Sequence, residues 1–490
     1  MAIAPRALAL PQVLETVPFG PDTVRGMAWA LAQKPHEPRA MVPEPWRELT
    51  YDEYRTIWFD PRKAVWSDAD LGFEMDLFHP GLYFPRAVDV WAVEDGQASR
   101  LAFDFDLFAR TDMSPELPVD ETMGYSGLRL RHAFPGEANL REFAVFQGAS
   151  YFRAIGAAQH YGLSARGLAL RTGDAEGEEF PDFVGFWVEA SEDRETVTMH
   201  ALLDSPSVTG AYRFVIRPGD ACKMTVSCEL FPRVDLDHVG IAPLTSMFLY
   251  DETNRPRFQD FRPAIHDSDG LLVWNGAGEM LWRPLANPPT LQVSSFVDTS
   301  PRGFGLMQRA NKLSDFADLE AHYHERPSLW IEPEGDWGQG VVRLVEIPSD
   351  QEIYDNIVAY WRPREPLAAG SSHVFAYRMT WGEAAPRRRN VAPVLNTHMG
   401  LNFDRDRWLA AIDFAPHDDL AGDLDDVTLH VSSSRADVSS GILQRNPETG
   451  GVRLGFTFDP GERDAVELRA QLIREGRAVS EVWLYRWVRT

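Results

Sequence analysis

Tyr212-Arg213-Phe214-Val215-Ile216-Arg217 places Tyr212, Phe214 and Ile216 on one side of an extended chain and Arg213, Val215 and Arg217 on the other. A period of two is the mark of a strand with one face toward a core. Leu101-Ala102-Phe103-Asp104-Phe105-Asp106-Leu107-Phe108 and Leu128-Arg129-Leu130-Arg131 show the same alternation. Gly, Pro, Asn and Asp punctuate these runs, as in antiparallel sheets stacked into a sandwich or curled toward a barrel. The expected fold class is therefore all-β. Helical spacing is confined to three places: residues 22–34, residues 314–325, and a short helix opened by the capping box Thr50-Tyr51-Asp52-Glu53 and running through Tyr54, Ile57 and Trp58.

A chain of 490 residues holds several domains, at about 100–200 residues each. Its 73 acidic side chains outnumber 48 basic ones, for a net charge of −25. That balance opposes a nucleic-acid partner, which must have its phosphates neutralised, and docking on anionic lipid. A neutral polysaccharide carries no such penalty. No apolar stretch of about 20 residues is present, so membrane insertion is not expected. The start, Met1-Ala2-Ile3-Ala4-Pro5-Arg6-Ala7-Leu8-Ala9-Leu10, does not read as a charged segment followed by a long apolar one. Either the protein is cytoplasmic or a leader has been trimmed. Cys222 and Cys228, the two cysteines, lie about 20 Å apart if the strand between them is straight. Two buried thiols are expected there rather than a disulfide or a zinc site.

Composition breaks at Gly382-Glu383-Ala384-Ala385-Pro386-Arg387-Arg388-Arg389-Asn390, where three arginines in an acidic chain suit a solvated linker. This divides the chain into an N-terminal β domain over 1–383, a linker over 384–390 and a C-terminal domain over 391–490. The last part carries short strands at 408–414, 427–431, 452–458 and 481–486, the spacing of a small immunoglobulin-like sandwich.

Chemistry is concentrated in a few runs. His266-Asp267-Ser268-Asp269-Gly270 packs two carboxylates and an imidazole beside the apolar strand Leu271-Leu272-Val273-Trp274. If extended, Asp267 and Asp269 share a face, and carboxylates that close raise one another's pKa. An Asp-rich turn accounts for the same residues. A metal held by His266 with His322 and His324 has no recognised spacing, and neither metal nor organic cofactor is expected. Glu352-Ile353-Tyr354-Asp355-Asn356 sets carboxylates before the apolar Ile357-Val358-Ala359-Tyr360-Trp361, as a general acid or as a plain turn. Tyr151, Arg153 and Arg166 are an aromatic and cationic set fit for a sugar platform or a core. Trp274, Trp282, Trp330, Trp337 and Trp361 fall in the carboxylate-bearing stretch, where sugar stacking and core burial are both open readings.

The runs Val145-Phe146-Gln147-Gly148-Ala149-Ser150-Tyr151-Phe152-Arg153-Ala154, Tyr161-Gly162-Leu163-Ser164-Ala165-Arg166-Gly167-Leu168 and His266-Asp267-Ser268-Asp269-Gly270-Leu271 occur in one order with Trp282-Arg283-Pro284-Leu285 and Asp355-Asn356-Ile357-Val358-Ala359-Tyr360-Trp361. Together they resemble the family of periplasmic glucan biosynthesis proteins G and D, densely over residues 70–380. The resemblance implies a large N-terminal galactose-mutarotase-like β-sandwich, a small immunoglobulin-like sandwich after it, and a periplasmic home. It also implies action on β-1,2-linked glucan, as an anomer-inverting glycoside hydrolase or a transglycosylase shaping osmoregulated periplasmic glucans. Carried onto this sequence, Asp355 is the general acid, and Asp267 the base acting through a relay of waters or hydroxyls. By the same resemblance Asp269, Tyr323, Glu352 and Arg326 line the site. They and His266 are candidate substrate-binding or relay groups, and so, from their own chemistry, are Tyr151, Arg153, Arg166, Trp274 and Trp361. A non-catalytic glucan-binding or scaffolding protein of the same machinery is the competing reading, and a homodimer is a candidate assembly.

Overall fold

The computed structural model describes residues 11–489 apart from Asp70, Pro135, Ala138 and Glu192. The stretch Met1–Leu10, read above for a leader, lies outside the described residues. The chain is all-β, with several sheets and a few short helices. It divides into two compact units. Of the described residues, one holds 11–158, 164–243 and 365–381, and the other holds 159–163, 244–364 and 382–489.

In the first unit the opening stretch is a strand, Val208–Arg217, between Val197–Asp204 and Cys222–Pro232, antiparallel to both. Its inward residues do what the alternation requires. Phe214 is fully buried and meets the rings of Phe146 and Phe152 at 5.4 and 5.3 Å. Those two come from the strands Arg141–Gln147 and Tyr151–Ala154 of a second sheet, so the two sheets face each other across an aromatic core. Helix Thr23–Ala32 buries Val24 and Ala28 with Trp91, Trp187 and Phe231. Cys222 and Cys228 lie on one strand as buried free thiols, and burial pushes the Cys228 thiol up to about 12.

In the second unit the strands Ser328–Glu334, Gly303–Met307, Gly270–Trp274 and Met280–Pro284 are neighbours. The last of these pairs in parallel with Val482–Val488, which continues antiparallel to Ala465–Arg474. A separate sheet of Val394–Leu401, Trp408–Phe414 and Val452–Asp459 supplies Ile412, Phe414 and Phe456 to a core that also holds Leu272, Trp282, Trp330 and Trp483. Residues 391–490 thus share a hydrophobic core and a sheet with residues 270–334.

Three local expectations need correction. The alternation at 101–108 is not one strand. It ends at Leu101, and the Asp104 carboxylate accepts the Asp106 amide at 2.9 Å to open a single 3-10 turn. A short acidic side chain here competes with the ladder for the backbone. The helix begun at Thr50 has its capping box but stops at Tyr54, and Ile57–Phe59 pairs instead with Phe108–Arg110. Residues 314–325 are broken as well. Helix Leu313–Phe316 ends at Ala317 in the left-handed region, and Asp318 accepts the amides of Glu320 and Ala321 at 2.8 Å each.

Gly270 closes the acidic run because nothing larger fits. A Cβ there would stand 2.4 Å from the Trp282 ring on the neighbouring strand. Gly270→Ala is expected to cost about 1–3 kcal/mol by overpacking. A lowered urea midpoint with an altered near-ultraviolet tryptophan signal is the check, and an unchanged midpoint refutes it.

Candidate active site

The run His266–Gly270 is held on both sides by backbone. Ile265–His266 pairs with Phe248–Tyr250, the Asp267 amide donates to Met247 O, and the Asp269 amide donates to Met307 O, each at 2.8 Å. It bends at 267–269, so the two carboxylates take different partners, unlike those of a straight strand. Asp269 accepts the amides of Arg309 and Ala310, the second at 2.8 Å, and its other oxygen lies 3.4 Å from His266 Nε2. His266 is buried, with Nδ1 3.0 Å from Gln308 Oε1 and its ring stacked on Phe248. Both its ring nitrogens are thereby engaged within the protein, and the ligand set of His266 with His322 and His324 is not assembled.

Asp267 is buried and meets Arg326 Nη1. The Arg326 guanidinium donates to Ala321 O through Nε and Nη2 and sits 4.1 Å over the Tyr323 ring. A fork fixed by a carbonyl and an aromatic face is something arginine supplies and lysine does not. The Tyr323 hydroxyl donates to Glu352 Oε2 at 3.0 Å. Burial lifts the phenol well above its ordinary value while Arg326 pulls the other way, so Tyr323 is a protonated donor at neutral pH. Glu352 also receives Arg262 Nη1 at 2.9 Å. Asp355 stands exposed three positions on, in the loop before strand Ile357–Pro363.

Its neighbour Asn356 is the anchor of that loop. It is buried, accepts the Phe248 amide at 2.8 Å, donates to Phe248 O and Ile347 O, and gives its own amide to Ser246 O at 3.0 Å. Ser246 in turn meets Ser268 Oγ at 2.9 Å. The loop of Asp355 and the run of Asp267 are therefore tied by two routes, one of side chains through Arg326, Tyr323 and Glu352, the other through Asn356, Ser246 and Ser268. Arg262, Gln308, Asn356 and the two serines were not singled out in the sequence. Asn356 had a signal, as the polar residue directly preceding a buried strand.

Two other candidates of the second unit sit elsewhere in it. Trp274 is at the far end of its strand from the run, packed on the core beneath Arg302. Trp361 is fully buried, with its ring 6.4 Å from that of Trp337. Tyr151, Arg153 and Arg166 belong to the first unit. There Arg166 is buried over the rings of Tyr151 and Phe180 and pairs with Glu178, and Arg153 is exposed on the strand Tyr151–Ala154.

Arg262 also binds Asp260 at 2.9 Å and Asp318 at 2.9 Å. Its hydrogen bonds hold the Asp260 carboxyl down at about 2. A folded pKa below the unfolded value of about 3.9 contributes stability that is present above pH 4 and lost as pH falls through 2. Asp260→Asn should accordingly be less stable than the wild type at pH 6, with the gap closing toward pH 2. Acid-unfolding curves that stay equally far apart would contradict this.

Fold and site together define an all-β protein with a cluster of carboxylates, arginines and a tyrosine set in polar contact beside a buried strand. The family model described as periplasmic glucan biosynthesis protein, MdoG, matches residues 19–487, and the chain belongs to that family. It is 48% identical over 479 residues to the glucans biosynthesis protein G of Vibrio cholerae serotype O1, covering 96% of this chain and 87% of that one. The protein of the same name from Shewanella sp. (strain ANA-3) is 47% identical over 494 residues, covering 99% and 90%.

Proposed function

We propose that this protein acts in periplasmic glucan biosynthesis as an anomer-inverting enzyme on β-1,2-linked glucan, with Asp355 as general acid and Asp267 as base. The observation carrying this reading is the continuous chain of contacts from Asp267 by an ion pair to Arg326, from Arg326 by a cation–π contact to Tyr323, and from Tyr323 by a hydrogen bond to Glu352, three residues before Asp355. Inversion requires a protonated carboxyl at the leaving oxygen and a carboxylate that takes the nucleophile's proton on the opposite face, about 6.5–9.5 Å away or farther with a relay. Asp355 gives its proton to the glycosidic oxygen as the C1–O bond breaks. The attacking hydroxyl's proton passes by a relay to Asp267, whose carboxylate is oriented by Arg326. Asp269, bound by two backbone amides and facing His266, orients the run or relays the proton.

Water as nucleophile gives hydrolysis, and a sugar hydroxyl gives transglycosylation. Mass analysis of linear β-1,2-glucan after incubation separates the two. Chains shortened with gain of water mean hydrolysis, and products lighter by one water mean cyclisation. Glucan that is bound but unchanged in length and linkage would overturn the enzymatic reading in favour of a scaffold.

A further inference from the structure

We infer that His160, His322 and Glu325 form a binding site for a divalent transition ion of the zinc class. Among the described residues they are the one group of three such side chains whose ligand atoms all lie within 4.8 Å of one another. His160 Nε2 is 3.1 Å and His322 Nδ1 3.3 Å from the same oxygen, Glu325 Oε2. With metal–ligand bonds of about 2.1 Å, the edges of a tetrahedral site are about 3.4 Å. Two edges are thus already at length.

The third edge closes by a small turn of the side chains. The two imidazoles now lie stacked, 4.7 Å between centroids and 9° between planes. An ion in the plane of each ring requires one of them to tilt, and both are accessible enough to do so, with side chains 55% and 37% exposed. The backbone beneath is firmly placed. His160 N donates to Glu325 O at 3.0 Å, and a Cβ on Gly162 would come within 2.9 Å of Arg326 Cβ, so these segments run in close contact. His322 is held in the left-handed region, at φ 50°. Two imidazoles and one carboxylate, with the fourth position left to water, is a donor set that suits zinc or cobalt better than magnesium or calcium.

The ion would clasp residues 159–163 to the turn 322–326, the same turn that presents Tyr323 and Arg326. The site itself does not depend on any role for Asp355 or Asp267. The test uses the whole chain, stripped of metal with a chelator and titrated with zinc chloride by calorimetry, and with cobalt chloride followed by visible absorption. One ion per chain is expected, with cobalt bands of a four-coordinate nitrogen and oxygen site. His160→Ala and Glu325→Gln should each weaken binding by about tenfold or more, with unchanged circular dichroism. No saturable zinc binding, or binding of equal affinity in both variants, overturns the proposal.

Discussion

Asp355→Asn is expected to reduce turnover of linear β-1,2-glucan by about 10²–10⁴-fold, the usual contribution of a positioned general acid. The effect should fall on the chemical step and not on folding. Asp355 is exposed, and its buried neighbour Asn356 anchors the loop through hydrogen bonds of its own to Phe248. The neutral amide keeps the shape of the carboxyl but has no acidic proton to give the leaving oxygen. Asp267→Asn should give a loss of the same order, by removing the proposed terminal acceptor of the nucleophile's proton. Chromatography of the products over time measures both, alongside thermal unfolding as a control. Full turnover in Asp355→Asn removes it as the acid, and full turnover only in Asp267→Asn moves the base elsewhere.

The largest expected effect on stability comes from Arg283→Met, at about 3–5 kcal/mol, because it strands a buried charge. Arg283 and Glu346 are both almost wholly enclosed and pair at 3.0 Å, and Glu346 also accepts the Ala286 amide at 2.8 Å. Burial already raises the Glu346 carboxyl above its ordinary range, with Arg283 holding it down. Without the guanidinium the folded pKa rises further. The penalty then grows as pH climbs above the unfolded value of about 4.3 and shrinks below it. Urea unfolding of Arg283→Met at pH 7 and pH 4.5 should show the larger deficit at pH 7. Arg283→Met combined with Glu346→Leu should recover most of the loss, since a well-packed apolar pair replaces a buried ion pair at little cost. A double variant as unstable as the single one would show that packing around Arg283, and not charge, is what matters.

The fold class was legible because strand periodicity is local. Tyr212–Arg217 alternates within six residues, and its inward Phe214 is where the alternation puts it. Period alone did not show where short acidic side chains take over the backbone. Asp104 opened a 3-10 turn where the alternation continues, and Asp318 helped to break a helical pattern by capping amides and by pairing with Arg262. The first of these competitions is local yet has the same composition as a strand. The second requires a partner 56 positions away.

The site divides along the same line. An all-β chain, two isolated thiols, a capped helix start at Thr50 and the two carboxylate-bearing runs can all be read along the chain, since each depends on neighbours within a few residues. Folding in three dimensions is what makes Asp267 meet Arg326 while Asp269 turns to His266 and two amides, and what bridges Tyr323 to Glu352. It alone brought His160 onto Glu325, and sent Trp361 into the core. Apart from the Asp269–His266 contact, which is three positions long, those pairings join positions tens to more than a hundred residues apart, and sheet register and close packing, rather than any local period, set which side chains meet.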